Sequence, residues 1–300
     1  MKIDANGISI TYDTFGHSGH PPLLLVMGLG AQMTAWDDEF CAQLAAENLY
    51  VIRYDNRDVG LSSHFDDQGV PDMQQLVADM MAGNTPNIAY TLDDMAADGI
   101  GLLTALGIDQ AHICGASLGG MIVQTMAINH PERILTMTSI MSTTGNPSLP
   151  PASPEAMAAL TSERADNVEQ AMDRAVEVAK AIGSPGFPQD EARTRAKAKA
   201  SFERSFYPDG VARQMAAIVA HGDRRSGLGQ LKLPTLVIHG TDDPFGSCNR
   251  RHRYPREYRR RRVDADRRHG SRSAKGNLES NRGWNRFTDA RLASNREKHV

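Results

Sequence analysis

Cysteine is scarce. Three residues (Cys41, Cys114, Cys248) in a chain of 300 cannot build a disulfide framework, and no C-x-x-C pair offers zinc ligands. A reducing cytoplasm is the expected setting. No apolar run reaches the roughly 18 residues of a membrane-spanning helix. The opening MKIDANGISI lacks the basic-then-apolar layout of a secretory leader, so export is not expected. With 40% apolar and 23% charged residues, wholesale disorder is excluded. The length fits one large domain or two small ones.

The net charge of −3 conceals a division. Residues 246–300 hold 17 Lys and Arg against 6 Asp and Glu, a net of +11. The remaining residues hold 16 against 30, a net of −14. The basic segment also contains no Ile and no Met. Such a break in composition marks a boundary near Phe245.

Before that boundary, strand and helix patterns alternate. Ile8–Tyr12 alternates like a half-exposed strand. Leu23–Val26 is a continuous apolar run stopped by Gly28, as in a strand buried on both faces. Asp38–Leu49 has helical spacing, with Phe40, Leu44 and Ala45 on one side. Tyr50–Tyr54 is a strand closed by the turn formers Asp55-Asn56. Thr91 caps a helix that runs to Leu106 before Gly107. Ala111–Cys114 and Arg133–Met141 are strands flanking a helix over Gly119–Asn129, and Leu236–Ile238 is another. This alternation predicts an α/β fold with a mostly parallel sheet covered on both faces. From Pro147 to about Leu231 only helical patterns occur: Glu155–Ile182, Asp190–Arg204 and Val211–His221. The expected layout is a core over 1–144, a helical lid over 145–232, the core again over 233–245, and a non-matching tail over 246–300. Met157, Met172 and Met215 in the lid suggest an apolar pocket, although Met at helical spacing also suits a core.

The chemistry centres on Ser117. Gly115-Ala116-Ser117-Leu118-Gly119 is a G-x-S-x-G motif directly after a buried strand and directly before a helix. A sharp strand-to-helix turn there strains the backbone and exposes the hydroxyl. The helix N-terminus behind it favours a developing negative charge. Val26-Met27-Gly28-Leu29-Gly30 ends the earlier strand in a loop of small residues that can aim a backbone N–H at Ser117. The Leu29 and Leu118 amides make a two-donor oxyanion hole. A dinucleotide site at Gly28 and Gly30 is disfavoured, because position 33 is Met33 where the fingerprint needs glycine. In His239-Gly240-Thr241-Asp242-Asp243-Pro244, a carboxylate at the strand's C-terminal end falls on the same sheet edge as Ser117. Asp243 is the candidate acid and Asp242 its competitor. His239 reads as a part-buried histidine.

LLLVMGLG, VIRYDNRDVGLS, ICGASLGG and LVIHGTDDP together resemble the α/β-hydrolase fold family, and within it the aclacinomycin methylesterase-type serine esterases. The resemblance implies that Ser117 attacks an ester carbonyl, that Asp243 supports a histidine, and that Leu29 and Leu118 supply oxyanion amides. It implies no cofactor; no metal is expected, and the Ala- and Met-rich lid points to a small apolar ester as substrate. A serine at the elbow argues against haloalkane dehalogenases, whose elbow carries aspartate. Lactone opening, cofactor-free peroxidation and a non-catalytic binding protein are the alternatives.

The departure is the base. The family places its histidine in a G-x-G-H loop after one more strand, some 25–30 residues past the acid. No buried strand is expected after Phe245, and the final helix is expected to be missing too. His252, His269 and His299 all lie beside basic residues. His269 is near the expected distance but flanked by arginines, which resist its protonation. We read the tail as an out-of-frame translation. Back-translation of Arg256–Ala274 with permitted codons, read one base later, yields ENIAGAELMLIDGMGHDLP, which holds a buried strand and a G-M-G-H loop. Gene sequencing tests this: codons incompatible with that reading refute it. As written, the chain is expected to turn over weakly and to be less stable. Nucleic-acid binding by the Arg-rich tail, with Tyr254, Tyr258 and Trp284 stacking on bases, is the competing reading. No nucleic-acid-binding motif accompanies it, and Arg259–Arg262 reads more simply as a solvated run.

Overall fold

A computed structural model describes residues 1–161 and 165–245, and the backbone of 262–263. The chain opens with β1 (Lys2–Ala5), β2 (Ile8–Phe15) and β3 (Pro22–Val26), then α1 (Asp38–Ala46), β4 (Tyr50–Tyr54), α2 (Met73–Met81) and α3 (Leu92–Ala105). β5 (Ala111–Ala116), α4 (Leu118–Asn129) and β6 (Ile134–Ile140) follow. Five helices come next: α5 (Pro154–Thr161), α6 (Val168–Ile182), α7 (Glu191–Arg204), α8 (Pro208–His221) and α9 (Arg225–Gln230). β7 (Thr235–Ile238) and the two-residue β8 (Arg262–Val263) complete the sheet.

The strand order is β1-β2-β4-β3-β5-β6-β7-β8. β1 and β2 form a hairpin around Asn6-Gly7, both at positive φ (51° and 75°), as a two-residue turn matched to strand twist requires. β2 joins β4 antiparallel, and every pairing from β4 to β8 is parallel.

Alternation along β3 explains its unbroken apolar run. Leu24 and Val26 pack with Ile52, Tyr54 and Ile113 of the neighbouring strands and with Met95, Leu102, Ile122 and Met126 of α3 and α4. Leu23 and Leu25 face the other way, onto Trp36, Cys41, Leu44 and Val51. Each face has its own helical layer, so neither set of side chains needs a polar partner. α3 begins as expected: Thr91 and Asp94 satisfy each other's backbone amides in a capping box.

Several expectations need correction. On α1 the buried residues are Cys41 and Leu44, while Phe40 turns outward and stacks on Trp36 with ring centroids 5.7 Å apart. Glu155–Ile182 is not one helix: α6 starts afresh at Asn167, whose side chain accepts the Gln170 N–H at 3.0 Å. After Phe245, where no buried strand is expected, the described backbone holds one two-residue strand. Arg262–Val263 pairs in parallel with Val237–Ile238, within the stretch where the shifted reading sets ELMLID. The rest of the tail lies outside the described residues.

Between β6 and β7 the described residues form helices and no strand. Charged and amide side chains fasten these helices to the loops after β3 and β4. Arg204 meets Asp55 at 2.7 Å, and Arg213 meets Asp58 at 2.7 and 3.0 Å. Gln32 donates to the carbonyls of Ser201 and Ser205. Both loops leave the C-terminal ends of parallel strands, so the helical insertion sits against that edge of the sheet.

Candidate active site

Ser117 stands between the last residue of β5 and the first of α4, with φ 54° and ψ −119°. A non-glycine residue in this region stores about 1–3 kcal/mol and persists only where its surroundings hold it. Here they do. The Ser117 N–H donates to Ile140 O at 2.9 Å. Its carbonyl accepts from the Gly120 and Met121 amides and from Ser142 Oγ at 2.8 Å. The flanking glycines permit the crossing: a Cβ on Gly115 would lie 2.0 Å from Gly119 O, and one on Gly119 would lie 2.1 Å from Val26 O. The serine side chain remains exposed, and among the described residues no group takes a hydrogen bond from its hydroxyl. Cys114, three residues earlier, is no rival nucleophile, because burial pushes its thiol up to about 12.

The loop after β3 lies against this elbow. A Cβ on Gly28 would come within 3.1 Å of Ser117 Cβ and 3.6 Å of Ser117 Oγ. Among the described residues, the Leu29 and Leu118 N–H groups donate to no partner. Two amides without partners among the described residues thus lie in the two segments that meet at the elbow.

Register places the candidate acid on the same edge. Ala116 aligns with Ile140, and Ile140 with Ile238. Ser117, Met141 and His239 therefore follow the ends of three adjacent strands. Met141 is itself at positive φ (39°) and over half exposed. Beyond His239 the chain turns through Asp242, which is exposed, to Asp243, which is not. Asp243 Oδ1 accepts the Phe245 N–H at 2.9 Å. Its Oδ2 lies 2.7 Å from Nε2 of the buried His239. A carboxylate can only accept, so Nε2 carries the proton in this pair.

The His239–Asp243 contact is absent from the sequence reading, which treats His239 as a bystander. The four-residue spacing across a tight turn was the available signal. Two other contributors are also missed there: Ser142, which holds the elbow carbonyl, and Gln214, which reaches in from α8. His252, His269 and His299 lie outside the described residues. Among the described residues no cluster of His, Cys, Asp or Glu could hold a metal ion, and no helix is long and apolar enough to cross a membrane. A hollow of about 410 Å³ lined by Thr104, Ile108, Asp109 and Arg133 lies where β5 begins, at the opposite end from Ser117.

Comparison with known proteins meets this geometry. The family model described as alpha/beta hydrolase fold matches residues 21–248. The chain belongs to the alpha/beta hydrolase fold family. It is 28% identical over 258 residues to rhodomycin D methylesterase DnrP of Streptomyces peucetius, covering 79% of this chain and 80% of that protein. Over 139 residues it is 34% identical to rhodomycin D methylesterase DauP of Streptomyces sp. strain C5; that match covers 46% of this chain and 41% of the relative. It is 29% identical over 244 residues to 3-oxoadipate enol-lactonase 2 of Acinetobacter baylyi, covering 81% and 79%. Among solved structures, the enol-lactonase from Burkholderia xenovorans LB400 superposes with a TM-score of 0.65 at 22% identity over 98% of this chain and all of that one, a likeness of fold. This alpha/beta hydrolase is thus similar in sequence to hydrolases of esters and lactones.

Proposed function

We propose that this alpha/beta hydrolase cleaves a small apolar carboxylic ester through an acyl-enzyme on Ser117. The reading is carried by one observation: a strained serine with an exposed hydroxyl at the strand-to-helix turn. In this scheme Ser117 Oγ attacks the carbonyl carbon, and the resulting oxyanion is met by the Leu29 and Leu118 amides, both ready without reorganisation. The alcohol leaves with the serine proton, and water then releases the acid. Asp243 orients the histidine that relays these protons, and the helical insertion acts as a lid that excludes water and shapes the pocket. A lactone fits the same steps, with the alcohol tethered to the acyl group; the similarity to an enol-lactonase over most of both chains supports that variant.

The weak point is the proton relay. Among the described residues no histidine bonds Ser117, and His239 already occupies one oxygen of Asp243. Turnover well below that of a complete triad is expected, with the oxyanion and binding contributions remaining. The test is labelling of the purified chain with an alkyl fluorophosphonate, alongside hydrolysis of p-nitrophenyl acetate and butyrate. Label on Ser117 and hydrolysis lost in Ser117→Ala support the reading. Hydrolysis unchanged in Ser117→Ala refutes it. Brisk wild-type hydrolysis with Ser117 labelled would show that a working base is present.

A further inference from the structure

We infer that Gln214, on α8 of the helical insertion, is a positioning residue that sets the turn carrying the Leu29 amide, so that docking of the insertion builds one half of the oxyanion hole. The inference rests on the proposed role of Leu29.

Gln214 is wholly buried. An amide buried without partners is strongly disfavoured, so both of its ends should be occupied, and they are. Oε1 accepts the Gly30 N–H at 2.9 Å, and Nε2 donates to Arg57 O at 2.8 Å. One lid side chain therefore bridges the loop after β3 and the loop after β4. The contact is also steric. Gly30 holds φ +63°, and a Cβ there would lie 2.8 Å from Val211 Cγ2, one helical turn before Gln214. No larger residue would let α8 approach so closely.

The consequence for Leu29 follows from peptide geometry. The Gly28–Ala31 turn is held at three points. Asn56 Nδ2 donates to Met27 O at 2.9 Å. The turn closes on itself through the Ala31 N–H to Gly28 O at 3.2 Å. Gln214 fixes the Gly30 N–H. Because a peptide unit is planar, that last bond also fixes the Leu29 carbonyl. Leu29 is then confined from both sides, and its own N–H is left over in the loop whose Gly28 lies against Ser117. Without the Gln214 bond, Gly30 is free to rotate and the aim of the Leu29 amide is lost. The neighbouring residue, Arg213, anchors the same helix through Asp58, so seating α8 and shaping the turn are one event.

The experiment compares wild type with Gln214→Met, which keeps the volume and loses both bonds, and with Gln214→Glu, which keeps an oxygen for the Gly30 N–H. Two quantities are read on the full chain: amide hydrogen exchange of residues 27–31, and the rate of fluorophosphonate labelling of Ser117. In Gln214→Met, exchange over 27–31 should rise at least tenfold while β3 and β5 stay protected. Labelling should slow tenfold to a hundredfold, with the half-saturating reagent concentration within twofold of wild type. Gln214→Glu should recover much of the labelling, whereas a purely structural anchor through Arg57 would leave it as impaired as Met. Should Gln214→Met not fold, Gln214→Asn, one methylene too short to reach Gly30, gives the same readings. Unchanged exchange over 27–31, or labelling at the wild-type rate with the loop loosened, overturns the inference. If wild-type Ser117 does not label at all, hydrolysis in Ser117→Ala judges the esterase reading, and exchange at 27–31 alone decides whether Gln214 holds the turn.

Discussion

Asp58→Asn, Arg213→Met and their combination test how the helical insertion is held. Asp58 has no exposed side-chain surface and Arg213 has 2%. The guanidinium donates to both carboxylate oxygens, to Gly69 O at 2.6 Å and to the Tyr207 hydroxyl. The Asp58 bonds hold the Arg213 pKa above its ordinary value. Asp58 also accepts the Phe65 N–H at 2.8 Å and sits at φ 64°. Asn is therefore the chosen replacement, since it tolerates that conformation and keeps an acceptor. Removing the charge from one member leaves the other ionised in a site that excludes water, and such breakage costs about 3–5 kcal/mol. For a chain of this size each kcal/mol lowers Tm by roughly 2–4 °C, so each single variant should melt roughly 6–20 °C lower. The double variant leaves no lone charge. Its loss should fall short of the summed singles by at least about 1.5 kcal/mol. Urea unfolding followed by circular dichroism reads these losses, and limited trypsinolysis shows whether cleavage begins within residues 141–234. Single losses below about 1 kcal/mol, or strict additivity, would refute the claim that this pair anchors the insertion.

Other outcomes follow from the same structure. Gly119→Ala sets a methyl 2.1 Å from Val26 O and 2.8 Å from Met27 O. These are backbone atoms that cannot step aside, so the variant should lose at least about 3 kcal/mol or fail to fold, and a Tm within a few degrees of wild type would contradict the packing described. His221 is held below its usual pKa by burial first and by Arg224 second, against the pull of Asp93. The unfolded chain then binds the extra proton more readily, so this group's contribution is present above pH 6.5 and is lost as pH falls through the lower folded value. Acidification from pH 7 to 5 should destabilise wild type more than His221→Gln, as read by urea midpoints at each pH. Ser117→Ala should abolish both labelling and ester hydrolysis; alanine keeps the Cβ and hence the backbone strain at φ 54°, so its Tm should stay within a degree or two of wild type.

What was legible in the sequence depended on whether local pattern and tertiary demand coincide. Leu23–Val26 could be read because burial on both faces leaves no room for a polar residue. Ser117 could be read because glycines at 115 and 119 are required wherever a helix crosses a strand so closely. β1 escaped notice although Asn6-Gly7 is a strong hairpin signal, since four residues carry little alternation. The outward turn of Phe40 escaped too: helical spacing gives a face but not which neighbour takes it, and the buried Trp36 offered a stacking partner at the margin of the core. Glu155–Ile182 looks continuous because Ala-rich charged segments favour helix throughout. The described α5 closes at Thr161, and a new helix is capped at Asn167. Gln214 was illegible for a different reason: a polar residue on a helix normally marks solvent, and only the two loops meeting around it make the buried amide worthwhile.

The elbow, the adjacent amides and the acid-bearing turn all reside before Phe245, and each is braced by contacts within that region. The charge break, by contrast, begins where the histidine-bearing part of the family pattern should start. β8 adds a constraint to this. A parallel partner for β7 at Arg262–Val263 falls where the shifted reading writes Glu-Leu-Met-Leu-Ile, a segment fit for burial, whereas the encoded Arg259–Arg262 run is fit for water. The edge of β7 thus accepts a parallel neighbour in the stretch where the shifted reading sets one. We propose that the tail is an out-of-frame translation; on that reading, restoring the frame in the gene returns a base beside Ser117 and Asp243. Ester hydrolysis should rise by at least about a hundredfold, the worth of a positioned general base, with Ser117→Ala still abolishing it. A restored chain that gains stability but no activity would show instead that the His239–Asp243 pair closes the acid to any relay.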